Sequence, residues 1–260
     1  MNKKNRDKVK NLIPMISVSD LSPALNAFCL TIVDNKVTFV ASDGYILGKL
    51  VINLENNVCK NAQYLLPLDA IKELCKLKAN QVGYIRIVDT EVEISADKNV
   101  IKRFNLSNGC YPNYERVIPK NTPYSFDLSE SDVSALLNHT KIISISQGCT
   151  QIDILDGDLR CVSNVANTFV ATRVDVVEHN NPRKKHGINA NILHKALSFF
   201  GGEPAISCNY GDNPQSAYVF KQHGNDDTVV ICTPYLLEDV KSEIFSSVSN
   251  VLKKEFNDFL

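Results

Sequence analysis

The chain has 260 residues and a mass of 28.9 kDa, enough for one large domain or two ordinary ones with a core that needs no disulfide or metal. Hydrophobic residues make up 44% and charged residues 22%, which excludes a disordered chain. With 28 Lys+Arg against 29 Asp+Glu, the net charge of −1 excludes a uniformly basic nucleic-acid coat and leaves room for a basic patch on one face. No apolar run approaches the ~20 residues of a membrane span. The charged opening MNKKNRDKVK has no apolar segment behind it, so the expected compartment is the cytoplasm, with no membrane partner.

Taken in chain order, a first helix is expected from Asp7 to Val18, with Val9, Leu12 and Ile13 on one face. Two strands follow, joined at Asp34-Asn35, a pair that tolerates the positive φ of a tight hairpin. A third strand, ILGKLVINL, leads to a second helix from Leu68 to Leu77, and strands within YIRIVDTEVEISADKNVIKRFNL close the segment. Ile118 to Pro123 is a proline-bracketed linker. The same order then recurs. A strand from Tyr124 to Leu128, without counterpart in the first half, precedes a helix from Ser129 to Ile143. Ser129 and Asp132 there fit an N-cap and an acidic first turn. Two strands meet at Asp156-Gly157, FVATRVDVV is the third, and a helix from Ala190 to Phe200 is stopped by Gly201-Gly202. Strands within ISCNYGDNPQSAYVFKQHGNDDTVVICT close the second half. Beyond Leu237, Ile244, Val248, Val251, Leu252 and Phe256 recur at helical spacing and predict an amphipathic helix.

The recurrence keeps one register. Ile32 and Ile154, Pro67 and Asn189, and Pro112 and Pro234 are each 122 residues apart. A period this long is a domain duplication, not a solenoid. The expected organisation is therefore a domain over 1–119, a second over 120–237 and an extension over 238–260. The fold class is α+β: two repeated domains, each with two helices packed on a mostly antiparallel sheet.

Three segments carry a family resemblance. Val40-Ala41-Ser42-Asp43-Gly44-Tyr45-Ile46-Leu47 resembles the A-T-D-G-H-R-L segment of bacterial DNA polymerase III beta subunits, the DNA sliding clamps. The run from Tyr111 to Asn121 resembles that family's F-P-D-Y-R-R-V-L-P-K-N, and Val230 to Leu236 its V-V-M-P-M-R-L. They stand in family order over about residues 6 to 237, matching the middle and last of the family's three domains, with the first absent. The resemblance implies a non-catalytic processivity factor. Six such domains would close around duplex DNA, so a two-domain chain would form a homotrimeric ring. Its partners would be duplex DNA, DNA polymerase, other proteins with clamp-binding peptides and a clamp loader.

A clamp must attract phosphates without reading bases. The resemblance places on the DNA-facing helices Arg6, Lys8, Lys10, Lys72, Lys76 and Lys78 in the first copy, and Lys141 and Lys195 in the second. Lys72 and Lys76 share a face. The second copy is thinner in charge and carries Glu130 and Asp132, while Arg183-Lys184-Lys185-His186 adds a basic run. The alternative for these lysines is an ordinary solvated helix face. The partner-peptide groove, implied between the two domains, would use Leu25, Ser42, Gly44, Tyr45, Ile46 and Leu47. To these it would add Pro112, Arg116 and Val117, then Ile231, Cys232, Thr233, Pro234 and Tyr235. Tyr45 and Ile46 stand where the family has His-Arg, and Thr233 and Tyr235 replace two methionines, which predicts a differently selective groove. The C-terminal Glu255 to Leu260 has the acidic and aromatic character of such peptides.

No P-loop, G-x-S-x-G or H-E-x-x-H occurs, and no Cys/His cluster has metal-ligand spacing, so no catalytic residue, metal or cofactor is expected. Cys149 is a loop cysteine without an identifiable base. The eight cysteines read as reduced core thiols. Two other functions fit the sequence less well: a clamp-derived monomeric binding or regulatory protein, and a small-molecule enzyme using the groove.

Overall fold

The structure, a computed structural model, describes residues 1–19, 21–54, 61–97, 99–144, 149–155, 158–165, 168–179, 185–213 and 215–234. The expected helix over 238–260, Tyr235, the Asp156-Gly157 turn and most of the Arg183–His186 run lie outside the described residues. Contacts divide the chain into two compact units. The first holds Met1–Ile118 and Phe220–Ile231; the second holds Pro119–Val219 and the residues from Cys232 onward.

In the first unit, α1 (Lys3–Asn11) begins at Asn2, whose side chain accepts the Asn5 amide at 2.9 Å. The helix lies earlier than the sequence suggested. Asn2 supplies a cap upstream, and Pro14, which has no amide hydrogen, leaves Ile13–Met15 as a 3₁₀ turn. The hairpin of β1 (Ala27–Val33) and β2 (Lys36–Ser42) turns through Asp34 and Asn35, with φ of 48° and 64°. This mirror-image turn matches the right-handed twist of the strands it joins. β3 (Ile46–Asn53) pairs with β2 and β4 (Ala62–Pro67) with β1, all antiparallel. α2 (Leu68–Cys75) packs against α1, burying Val9, Leu12, Ala70, Ile71 and Leu74. A separate antiparallel sheet follows in the order β5 (Gly83–Val88), β6 (Glu91–Ala96), β7 (Asn99–Asn105).

Gly48 marks the closest approach in this unit. A Cβ there would fall inside van der Waals contact of the Leu12 and Met15 side chains, both wholly buried. Gly48→Ala is therefore expected to destabilise the protein by about 1–3 kcal/mol, the usual scale of overpacking, as read by urea unfolding. A change below about 0.5 kcal/mol would show that the 3₁₀ turn yields freely.

In the second unit, β8 (Tyr124–Ser129) leads into α3 (Glu130–Ser144). The Ser129 amide donates to Asp132 Oδ2 at 2.8 Å and the Asp132 amide to Ser129 Oγ at 3.3 Å, a reciprocal cap of the kind the sequence predicts. β9 (Cys149–Leu155), β10 (Asp158–Val165) and β11 (Thr168–Asp175) form a meander, followed by β12 (Val177–His179) and β13 (Lys185–Asn189). Their sheet runs β11-β10-β9-β13, while β12 lies on β8. α4 (Ala190–Phe199) is capped by Asn189, which accepts from the Asn191 and Ile192 amides, and packs on α3. β14 (Ala205–Tyr210) pairs with β8. The hairpin of β15 (Tyr218–Gln222) and β16 (Asn225–Cys232) completes the described chain.

Two features depart from a simple doubling. The repeat assigns residues 220–231 to the second copy, but they cluster with the first unit, whose main sheet runs β16-β3-β2-β1-β4. Backbone pairing beside β3 outweighs sequence kinship. The first copy also has no full strand in the place of β8. Instead Met1 and Gly83 exchange two backbone hydrogen bonds at the start of β5, the Gly83 amide donating to the Met1 carbonyl at 2.9 Å and the N-terminal ammonium to the Gly83 carbonyl.

Candidate functional site

The turn between β2 and β3 is held from within. Asp43 Oδ1 accepts the amides of Tyr45 and Ile46, both at 3.0 Å. Ser42 Oγ accepts the Gly44 amide at 3.1 Å and donates to the Ile46 carbonyl at 2.8 Å. Gly44 takes φ +93°, where a side chain would be strained, although the space around it is open. The result is a fixed turn that buries Ile46 and Leu47 and leaves Tyr45 66% exposed. The register of β1 on β2 sets the segment after Leu25 beside this turn, and Leu25 is half-buried.

The segment from Tyr111 to Val117 is tied to the same sheet. Tyr111 is buried and meets Tyr114 edge-on at 6.5 Å; burial pushes both phenols up, so both are neutral. Tyr114–Arg116 form a 3₁₀ turn in which Glu115 pairs with Lys49 of β3 at 3.0 Å, and the same ammonium stands 5.9 Å over the Tyr114 ring. Pro112, Arg116 and Val117 are exposed. Tyr45, Pro112, Arg116 and Val117 are thus the exposed ones among the residues expected in the groove from the first unit. Lys49 and Glu115, which fasten it, were missed in the sequence because nothing in their spacing marks a pair 66 residues apart.

The remaining groove residues divide by burial. Ile231 and Cys232 lie in the core, as do Ile46 and Leu47, because β3 and β16 turn these side chains inward. Their burial places them beneath the surface, where the sequence reading expected exposed contact residues. Ser42 is also buried, with its hydroxyl committed to the turn. Thr233 and Pro234 are half-buried.

Of the expected DNA-facing side chains, Arg6 is also corrected. It is 2% exposed and points into the first unit. Its guanidinium donates to the carbonyls of Met1 (3.1 Å), Leu77 (3.4 Å), Lys78 (2.8 Å) and Gln81 (2.6 Å). The α2 helix ends just before these groups, so a cation there also meets the negative end of the helix dipole. Lys10, Lys72, Lys76 and Lys78 are exposed on or just after the packed helices α1 and α2, and Lys8 is half-buried. Lys72 pairs with Asp69 at 3.8 Å and Lys76 with Glu73 at 3.1 Å; such exposed pairs leave their cations able to exchange partners. In the second unit Lys141 is exposed and Lys195 half-buried.

Behind α3 lies a polar network the sequence did not reveal. His139 is 2% exposed. Ser163 Oγ donates to Thr150 Oγ1 at 2.9 Å, so it accepts from His139 Nε2–H at 3.0 Å. That leaves His139 Nδ1 to accept from the Thr172 hydroxyl at 2.9 Å. Burial lowers the His139 pKa to about 4, so the ring is neutral near pH 7. The arrangement has serine beside histidine, but Ser163 is wholly buried, where no substrate reaches it. Burial also raises the Cys75 thiol to about 11 and the Cys161 thiol to about 12, so neither is a ready nucleophile. Among the described residues no group of acidic, His and Cys side chains could hold a metal, and no helix is long and apolar enough to cross a membrane.

No family model matches the chain. In sequence it is 24% identical over 238 residues to the beta sliding clamp of Pseudomonas aeruginosa, covering 89% of this chain and 64% of that protein. It is 21% identical over 142 residues to the beta sliding clamp of Chlamydia trachomatis, covering 54% of this chain and 34% of that protein. Among solved structures, a DNA polymerase sliding clamp from Pseudomonas aeruginosa superposes with a TM-score of 0.80 at 18% identity, over 91% of this chain and 66% of the other. The DNA polymerase III beta subunit of Thermotoga maritima gives 0.79 at 20% identity, over 91% and 65%. The chain thus spans 64% of the length of the Pseudomonas aeruginosa relative and 34% of the Chlamydia trachomatis one. It has the α+β fold of the DNA sliding clamps and is similar, along about nine tenths of its own length, to bacterial DNA polymerase III beta subunits.

Proposed function

We propose that this chain is a DNA sliding clamp-like processivity factor, without catalytic activity, working in the cytoplasm. It encircles duplex DNA and tethers a DNA polymerase and other proteins that carry clamp-binding peptides. The observation that carries this reading is the similarity to beta sliding clamps over 89% of the chain. The internal duplication supports it, because three copies of a two-unit chain supply six units. The lysines on α1 and α2 support it as well: Lys10, Lys72, Lys76 and Lys78 offer exposed positive charge on adjoining helices and no built base-reading site.

Retention on DNA tests the reading. The protein is expected to co-elute with nicked circular duplex DNA, alone or after a clamp loader has acted, and to be lost when the circle is cut. Equal loss from circular and linear DNA would refute encirclement. Lys72→Glu with Lys76→Glu is expected to weaken DNA binding at low salt by about tenfold or more, with a shallower salt dependence. Because both side chains are exposed, unfolding stability should move by less than about 0.5 kcal/mol.

The peptide groove is proposed at the surface around Tyr45, Pro112, Arg116 and Val117, with Leu25, Thr233, Pro234 and Tyr235 as further members. Tyr45 is the exposed aromatic on a fixed turn, the type of side chain that dominates small interfaces. Tyr45→Ala is expected to weaken binding of a clamp-binding peptide about tenfold in a fluorescence titration, with the melting temperature unchanged. Unchanged peptide affinity would move the groove elsewhere.

A monomeric peptide-binding or regulatory protein of clamp descent is the second reading. It is favoured by the acidic first turn of α3, where Glu130 and Asp132 would repel phosphates. Light scattering separates the two: one-chain mass at every concentration, with peptide binding intact, supports the monomer.

A further inference from the structure

The sheet of β5, β6 and β7 has a built outer face. Val92 and Ile94 of β6 are wholly buried, so by the alternation of a strand Glu93 and Ser95 belong to the opposite face. Both are nonetheless buried, at 3% and 7% exposure. The register explains it. Ser95 lies between Tyr84 of β5 and Val100 of β7, and Glu93 lies between Arg86 and Arg103. A register shift on β7 brings Val100 and Arg103 onto one face. The four flanking side chains are themselves exposed. The result is a shallow trough along β6, floored by Ser95 and Glu93 and walled by longer side chains from both neighbours. Its walls stand two strand spacings apart, about 10 Å, which admits one extended chain. A helix, about 10–12 Å across with its side chains, is too wide.

The trough is graded in character along β6. The first row, Tyr84 and Val100, is aromatic and apolar. The second row sets two guanidiniums on one carboxylate. Arg103 directs Nε and Nη2 at Glu93 Oε1, at 2.8 and 2.7 Å. Arg86 Nη1 approaches Oε2 at 3.5 Å, an ion pair that gives that oxygen no hydrogen bond. A buried carboxylate needs a cation beside it, and Arg103 supplies one. Arg86 therefore adds positive charge and donors to the outer face, where its side chain is 71% exposed. The third row reverses sign, because half-buried Glu91 shares this face two residues before Glu93. Successive rows are about 6.7 Å apart, the repeat of alternate side chains in an extended chain.

We propose that this trough binds an extended segment of a protein partner whose alternate side chains are apolar, acidic and basic in that order. The apolar group packs on Tyr84 and Val100, the acid meets Arg86 and Arg103, and the base meets Glu91. Tyrosine and arginine are the side chains that most often anchor such contacts. A nucleic-acid strand fits less well, since a phosphate next to the one held by the arginines would face Glu91. The trough uses other strands than the surface around Tyr45 and Arg116, and the proposal does not rest on the clamp reading.

Peptide titration of the isotope-labelled full chain tests it, read by backbone amide shifts. The probe is a capped peptide, Thr-Leu-Thr-Glu-Thr-Lys-Thr, together with the same sequence in reverse order, since either chain direction presents the same row of side chains. At least one is expected to shift the amides of residues 84–86, 93–95 and 100–103, with a Kd of about 1 mM or tighter. The charge-swapped control, Thr-Leu-Thr-Lys-Thr-Glu-Thr, has the same composition and should bind about tenfold more weakly. Arg86→Gln and Tyr84→Thr change exposed side chains, and each should weaken the probe about tenfold with the melting temperature held. Should a variant fail to fold, the comparison of probe with control on the wild type decides. Silence from both probe directions at millimolar peptide, equal binding of the charge-swapped control, or unchanged affinity in both folded variants would each overturn the proposal. So would shifts around Tyr45 and Arg116 in place of the trough, or trough shifts produced by a duplex oligonucleotide and not by the peptides.

Discussion

Replacing Arg6 with methionine is expected to lower the stability of the protein by about 3 kcal/mol or more. The methionine stem fills part of the space but donates nothing to the carbonyls of Met1, Leu77, Lys78 and Gln81. Leaving a buried acceptor unsatisfied costs about 1–3 kcal/mol, and hydrogen bonds from a charged donor lie at the upper end of that range. Water entering at the partly exposed rim offsets some of the loss, so the four contributions do not add. Arg6→Lys should recover little. An ammonium is a point charge with three donors, whereas the guanidinium spans four carbonyls with a planar fork. The melting temperature should fall by roughly 10 °C or more. A shift within about 0.5 kcal/mol for Arg6→Met would mean that the carbonyls find other donors. Because Arg6 is enclosed, Arg6→Lys protein that remains folded should bind DNA as the wild type does, unlike the Lys72 and Lys76 variants.

The second large effect is expected in acid. His139 is neutral in the folded protein, with its pKa lowered to about 4 by burial, against an ordinary value of 6.5. The unfolded chain therefore binds this proton more readily than the native one between those limits. Stability is fully present above about pH 6.5 and falls as the pH drops toward 4, with a slope approaching about 1.4 kcal/mol per pH unit and a total of at most about 3 kcal/mol. His194, held below its usual range by partial burial and by Lys141, acts in the same direction. Protonation at Nδ1 would also force Thr172 to stop donating there, while Nε2–H, Ser163 and Thr150 keep their order. Thermal melts between pH 7.5 and 4.5 should show the loss in the wild type and a flatter profile in His139→Gln, which starts from a lower stability. Equal slopes in the two proteins would place the acid sensitivity elsewhere.

Local chemistry made several elements legible in the sequence. The Asp34-Asn35 turn, the Ser129–Asp132 cap and the two Gly- or Pro-bounded second helices are written in residues adjacent to the features they produce. Periodicity alone placed the first helix too late, because it weighed the apolar face of Val9, Leu12 and Ile13 above the Asn2 cap and the Pro14 break. Charge type alone placed Arg6 with the lysines, since a sequence does not show that three carbonyls from residues far along the chain join that of Met1 around one guanidinium.

By itself the sequence determined the duplication, the α+β class and the three segments that resemble sliding clamps, because register, periodicity and turn chemistry are properties of neighbouring residues. Only the tertiary structure decided which cations reach solvent, which of the residues proposed for the groove are exposed, and where β16 finds its partner. Those outcomes depend on backbone ladders and buried polar groups that must be satisfied across long sequence separations. In this chain that requirement turned Arg6 inward, closed a hydroxyl network around His139, and left β7 and β11 at the edges of their sheets.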